Sequence, residues 1–119
     1  MIADLEKWVI GSDKKPRFQI FDETEDEAIP LALFSGYGVI VFSPGGNEAG
    51  RFGTGMEGYS TGEVSAVDET TFEVALDKSL NTAPGLISYQ VAVALPDADY
   101  ADGTQEIKGE KTLLYRSVY

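Results

Sequence analysis

Ten residues constrain this chain more than any others. From Leu86 to Leu95, Ile87, Tyr89, Val91, Val93 and Leu95 alternate with Ser88, Gln90, Ala92 and Ala94. A strict period of two places the large side chains on one face of a β-strand, whereas a helix would scatter them around its axis. The second face is small and only mildly polar, so the strand reads as central rather than edge. Phe72, Val74 and Leu76 alternate in the same way with Thr71, Glu73 and Ala75, as Phe18 and Ile20 do with Arg17 and Gln19. Each of these two strands keeps one wet side. Val39-Ile40-Val41-Phe42 is apolar on both faces, which fits a strand covered from both sides or lying at a subunit contact. Trp8 and Ile10 open the chain with the same spacing, and residues 106–119 read as a final strand broken at Gly109.

Turn chemistry separates these runs at Gly11-Ser12-Asp13, Pro44-Gly45-Gly46-Asn47, Ala83-Pro84-Gly85 and Asp102-Gly103. The punctuation bounds about seven strands, the mark of an all-β sandwich or small barrel. Residues 1–119 are read as one domain, long enough to bury a core without metals or disulfides. Between Gly45 and Gly62 seven glycines give up too much backbone entropy for a regular central strand. The stretch is therefore read as a long flexible hairpin or loop carrying Arg51, Phe52, Met56 and Tyr59. Residues 79–81 are read as a single helical turn, with Thr82 as a candidate cap.

Composition removes most chemistry. The chain has no cysteine, hence no disulfide framework, thiolate metal site or Cys nucleophile, and no histidine, the commonest general base and zinc ligand. Without histidine or a Ser-Lys motif, nothing activates its serines and threonines. Twenty acids against nine bases give a net charge of −11, which repels nucleic acid and anionic membrane surfaces. No apolar run is long enough for a membrane span. Met1-Ile2-Ala3-Asp4-Leu5-Glu6 carries acids where a secretion signal needs bases and an apolar stretch, so no signal is expected.

Several groups are candidate sites. Asp97, Asp99 and Asp102, with Gly103 to turn the chain, and the acidic run Asp22 to Glu27 have the oxygen density that Ca²⁺ needs, but neither has EF-hand spacing and a solvated turn is the simpler reading. No cofactor is expected. Carboxylate pairs arise inevitably among twenty acids, so they are weak grounds for glycosidase chemistry. Residues 50–58 look superficially like a phosphate loop but lack the Gly-Lys-Ser/Thr ending and a following helix. Arg51, Phe52, Met56 and Tyr59 are either a docking surface or folded back on the sheets. Leu114, Tyr115 and Tyr119, on an apolar-rich last strand, hint at a subunit contact. Trp8 is assigned to the core, and Tyr89 and Tyr100 to core-edge hydrogen bonding. For a carbohydrate- or peptide-binding module, the aromatics to test are Trp8, Tyr37, Tyr59 and Tyr100.

In order along the chain, Ile10-Gly11-Ser12-Asp13 then Phe18-Gln19-Ile20-Phe21, Ile29-Pro30-Leu31, Gly36 to Phe42, Phe72-Glu73-Val74, Pro84-Gly85 leading to Tyr89-Gln90-Val91, and Asp102-Gly103 before Gly109 to Leu113 resemble a known pattern. It is similar to the small immunoglobulin-like domain at the N-terminus of phage baseplate upper proteins and related tail-associated proteins. The resemblance covers about residues 8–118, with the Gly45 to Gly62 stretch and the acidic run as departures. It implies an antiparallel immunoglobulin-like β-sandwich. It further implies a non-catalytic structural or assembly protein that is homo-oligomeric, contacts other virion components, and resides in the virion tail or in host cytoplasm before assembly.

Overall fold

The computed structural model describes residues 5–21 and 27–119. These form nine strands: β1 Glu6–Val9, β2 Arg17–Gln19, β3 Gly36–Phe42, β4 Glu48–Thr54, β5 Val64–Ala66, β6 Thr71–Val74, β7 Gly85–Pro96, β8 Thr104–Lys108 and β9 Thr112–Val118. Two 3₁₀ turns, Leu31–Leu33 and Lys78–Leu80, complete the regular structure, and the described residues contain no α-helix. No helix is therefore long and apolar enough to cross a membrane among them. The chain is all-β, as its period-two runs predict, with more strands than the turn signals separate.

The strands make two sheets, one with the order β1-β9-β7-β3-β4 and one with the order β2-β6-β5. In the larger sheet the long strand β7 is the spine. β3 pairs with one edge of it from Ser88 to Ala94, while β9 and then β8 share the other edge, against Gly85–Tyr89 and Ala92–Pro96 respectively. β8 and β9 thus follow each other along one partner, interrupted where the sequence predicts, at Gly109. There the Gly109 N–H still donates to the Val91 carbonyl at 2.8 Å, and the Gln90 amide reaches the Gly109 carbonyl at 2.7 Å. The expectation of a purely antiparallel fold needs correction at one place: β1 runs parallel to β9, with Trp8 opposite Ser117. A chain that enters beside its own last strand can be parallel because the whole domain serves as the crossover.

The period-two faces of both sheets meet in one core. Trp8, Val39, Val41, Ile87, Val93 and Tyr115 of the larger sheet pack with Phe18, Phe72 and Val74 of the smaller, and with Leu76 just beyond it. Ring pairs bridge the layers, Phe18 to Tyr89 and Tyr37 to Phe72, each with centroids 5.0 Å apart. The doubly apolar run of β3 is covered on both sides. Val39 and Val41 face the inter-sheet core, whereas Ile40 and Phe42 join Tyr59 and Ala92 in a second cluster on the outer face.

The Gly-rich stretch is a second correction. Of the hairpin and loop readings, its first part is a hairpin strand: β4 pairs with β3 from Tyr37 opposite Thr54 to Phe42 opposite Glu48. The glycines are what allow the two strands to approach. A Cβ at Gly38 would lie 2.2 Å from the Phe52 carbonyl oxygen, and one at Gly53 would lie 3.1 Å from the Tyr59 ring. Pairing with a central strand and seating an aromatic ring outweigh the entropy that glycine costs. The short helical turn also lies one residue earlier than expected, and Asp77, not Thr82, caps it by accepting the Ser79 N–H at 3.0 Å.

Candidate binding groove

The two sheets differ in width, and the mismatch creates the candidate site. β2, the end strand of the smaller sheet, is three residues long, whereas β7 opposite runs for twelve. Leu95 of β7 and Ile107 of β8 therefore extend past the smaller sheet, with Val91 and Val93 at the boundary of the core beside them. They form one wall of a groove of about 440 Å³, and Ile20, Phe21, Ile29 and Phe34 form the other. Phe21 is 47% exposed and Ile107 42%, so the groove opens to solvent with apolar side chains at its mouth. Gln19 and Gly109 also line it, and among the described residues none of those lining it is ionisable.

The segment after β2 is fixed where it frames the groove. Phe21 and Ala28 form an antiparallel bridge, and the Ile29 N–H donates to the Ile20 carbonyl at 2.7 Å. The Leu31 N–H donates to Glu69 at 2.8 Å, holding the Leu31–Leu33 turn against the start of β6. The Val74 N–H donates to the Pro16 carbonyl at 3.0 Å, so even-numbered residues of β2 turn their backbone groups towards β6. By strand alternation Arg17, Gln19 and Phe21 turn theirs the other way, and among the described residues β2 pairs with no strand on that side. β8 likewise pairs only with β7. Two sheet edges thus border an apolar groove.

The residues singled out in the sequence fall elsewhere. Phe52 points into the inter-sheet core, and Tyr59 is buried on the outer face with Met56 packed against it. The chain after β4 is pinned to that strand by mutual backbone bonds of 2.9 Å, from Gly53 to Ser60 and from Ser60 to Arg51. The Tyr59 hydroxyl donates to Glu106 at 2.9 Å; burial foremost, then that carboxylate, pushes its pKa up to about 12. Arg51 is paired with Glu48 at 2.9 Å and lies 5.6 Å from the Tyr59 ring centre. Arg51, Met56 and Tyr59 are therefore brought together, without Phe52, as the cover of the second cluster rather than on a mobile loop. Their apolar surface is spent on the sheet beneath them.

Tyr115 is buried against Trp8, with ring centroids 5.5 Å apart, and burial raises its hydroxyl to about 12, with Glu6 adding to the shift. Leu114 is half-buried, and only Tyr119, 88% exposed, is open to a partner. Asp97 and Asp102 each accept a backbone N–H inside their own turn, from Asp99 at 3.0 Å and Thr104 at 3.1 Å. Among the described residues no three carboxylates converge on a point that could hold a metal ion. Most of the acidic run 22–27 lies outside the described residues. Residues 50–58 form strand and turn, with no helix to face a phosphate. Trp8 is fully buried, Tyr37 packs on Phe72, Tyr59 is on the outer face and Tyr100 is exposed at the β7–β8 turn, so these four aromatics share no surface.

Sequence reasoning missed the groove. Its signal lies in the contrast between the ten-residue alternation from Leu86 to Leu95 and the short run in which only Phe18 and Ile20 alternate. Compared with protein-family models, with curated proteins and with solved structures, the chain matches none.

Proposed function

We propose that this chain is a non-catalytic module that acts by contact with other polypeptides, in the manner of a structural or assembly protein. The observation that carries the reading is the apolar groove bordered by two strand edges, β2 and β8. Such a surface offers shape, apolar area and backbone hydrogen bonds, and the described residues that line it carry no acid, base or nucleophile. Apolar walls beside unpaired strand edges suit a polypeptide, which can use both; the one well-exposed aromatic ring of the groove is Phe21.

The strand arrangement supports an immunoglobulin-like form of the sandwich. A β2-β6-β5 sheet faces a β9-β7-β3-β4 sheet, the pattern of B-E-D against G-F-C-C′, with β1 added beside β9. The proposed setting, a phage tail or baseplate, rests on the sequence resemblance. Light scattering coupled to size exclusion, across a wide concentration range, tests the assembly reading. Discrete oligomers would support it, whereas a monomer at every concentration that also hydrolyses glycoside substrates would overturn it.

A further inference from the structure

We propose that the groove takes up an extended, cationic segment of another polypeptide, which adds to the outer edge of β2 as a fourth strand of the smaller sheet. The proposal rests on the contact-module reading above and specifies its partner. Two kinds of recognition coincide at this place. The outward N–H and C=O groups of Arg17, Gln19 and Phe21 can continue the ladder that β2 makes with β6 on its other side. From Arg17 to Phe21 the edge spans roughly 13 Å, enough for about five residues of an added strand. Every second side chain of such a strand would face the apolar walls formed by Ile20, Phe21, Val93 and Ile107.

Charge selects the occupant. The chain carries −11, and the bases nearest the groove are engaged or turned away. Arg17 is paired with Glu73 at 3.2 Å, and the Lys111 ammonium lies 3.9 Å from the Phe42 ring centre on the outer face. Lys108 follows Ile107 in β8 and so projects from the opposite face of the sheet. Glu27 and Glu110, by contrast, are exposed on the segments that lead to and from the groove. A strand alternating apolar and basic residues would meet apolar walls on one side and a negative field on the other. An acidic strand would meet the same walls and be repelled.

The test uses the full chain and an acetylated, amidated hexapeptide alternating lysine and valine, followed by amide chemical shifts in NMR. The expected result is saturable shifts centred on Gln19, Phe21 and Ile107. Gln19→Pro removes one outward N–H and leaves the backbone bonds to β6 in place, losing only the side-chain bonds of Gln19 to Thr70 and Thr71, and Ile107→Lys places a charge of the peptide's own sign on an already exposed wall position. Each should weaken binding tenfold or more, while the thermal midpoint verifies that the variant is folded. A peptide with glutamate for lysine, or with alternate backbone nitrogens methylated, should bind at least tenfold more weakly.

Absence of shifts at these residues at millimolar peptide would overturn the proposal, as would equal binding of the methylated peptide. Concentration-dependent shifts at the same residues without peptide would overturn it in favour of a second copy of the chain. Binding seen only after deletion of residues 1–4 would overturn it in favour of the chain's own N-terminal segment. None of these outcomes overturns the broader assembly reading, which the light-scattering experiment addresses separately, and the second-copy outcome would support it.

Discussion

The two ends of β7 carry the same alternation but meet different fates. At the Gly85–Tyr89 end, Ile87 is buried in the inter-sheet core beside Tyr115, its partner on β9, and β1 widens the sheet there and adds Trp8 to the same cluster. Polar groups are sealed there as well: the Asn81 amide donates to the Trp8 carbonyl at 3.1 Å, and the Ser117 hydroxyl donates to Asn81 Oδ1. At the Val91–Pro96 end the partner is β8, the opposing strand β2 has run out, and Val93, Leu95 and Ile107 line an open groove. Apolar alternation therefore establishes that a face wants cover, but the length of the opposing strand decides whether cover is provided. The closed end should hold most of the stability, and the open end should tolerate change.

Trp8→Ala is the strongest way to break that contrast. It removes a fully buried ring, its edge-to-face contact with Tyr115 and the indole N–H bond to the Ser12 carbonyl at 2.7 Å. The expected loss is about 3–5 kcal/mol in chemical denaturation, a large part of what a domain of this size possesses. Asn81→Ala comes next. It leaves the Trp8 carbonyl without its side-chain donor and the Ser117 hydroxyl without its acceptor in a buried site, at a cost of about 1–3 kcal/mol. Adding Ser117→Ala should recover part of that loss, since the hydroxyl would no longer be stranded; strict additivity in the double-mutant cycle would contradict the coupling.

Much of this architecture is legible in the sequence, and the failures have identifiable physical causes. The strands around Phe18, Val39–Phe42, Phe72–Val74 and Leu86–Leu95, and the interruption at Gly109, follow from period and turn chemistry alone. β4 is not legible because its glycines are read for their own entropy, whereas their use depends on Gly38 of β3 and on Tyr59, which arrives from the next turn. Phe52 and Tyr59 occupy opposite faces of the larger sheet because a turn intervenes between them, and no spacing in the sequence shows that separation. The groove is illegible for a related reason. Its apolar lining residues look like ordinary core, and only the facing of a three-residue strand by a twelve-residue one leaves Phe21, Leu95 and Ile107 partly uncovered.

The outer face of the larger sheet gives an intermediate case. Tyr59→Phe keeps the ring on Gly53 and removes only the bond to Glu106, so about 1 kcal/mol should be lost. Its pH dependence has a definite sign. Folding raises both the Tyr59 and Tyr115 hydroxyls from 10.0 to about 12, which favours the neutral form in the folded state. Their contribution is complete below pH 10 and is lost as pH rises towards 12. Alkaline melting curves should fall in that window, and Tyr59→Phe should make the fall shallower. An unchanged alkaline slope in the variant would show that Tyr59 ionises as freely in the fold as in the unfolded chain.

The smallest effect belongs to the open end and sharpens the contrast most directly. Ile107→Ser replaces a side chain that is already 42% exposed and packs only at the mouth of the groove. It removes little apolar surface from the interior, and the introduced hydroxyl can bond to water, so stability should change by no more than about 0.5 kcal/mol. Ile87→Ala, at the closed end, should cost about 2–5 kcal/mol because it leaves a cavity in the inter-sheet core that Ile87 shares with Trp8 and Tyr115. Urea titrations of the two variants in parallel measure the difference. Equal losses would mean that the groove wall is as tightly packed as the closed end, leaving no free apolar surface to offer another chain.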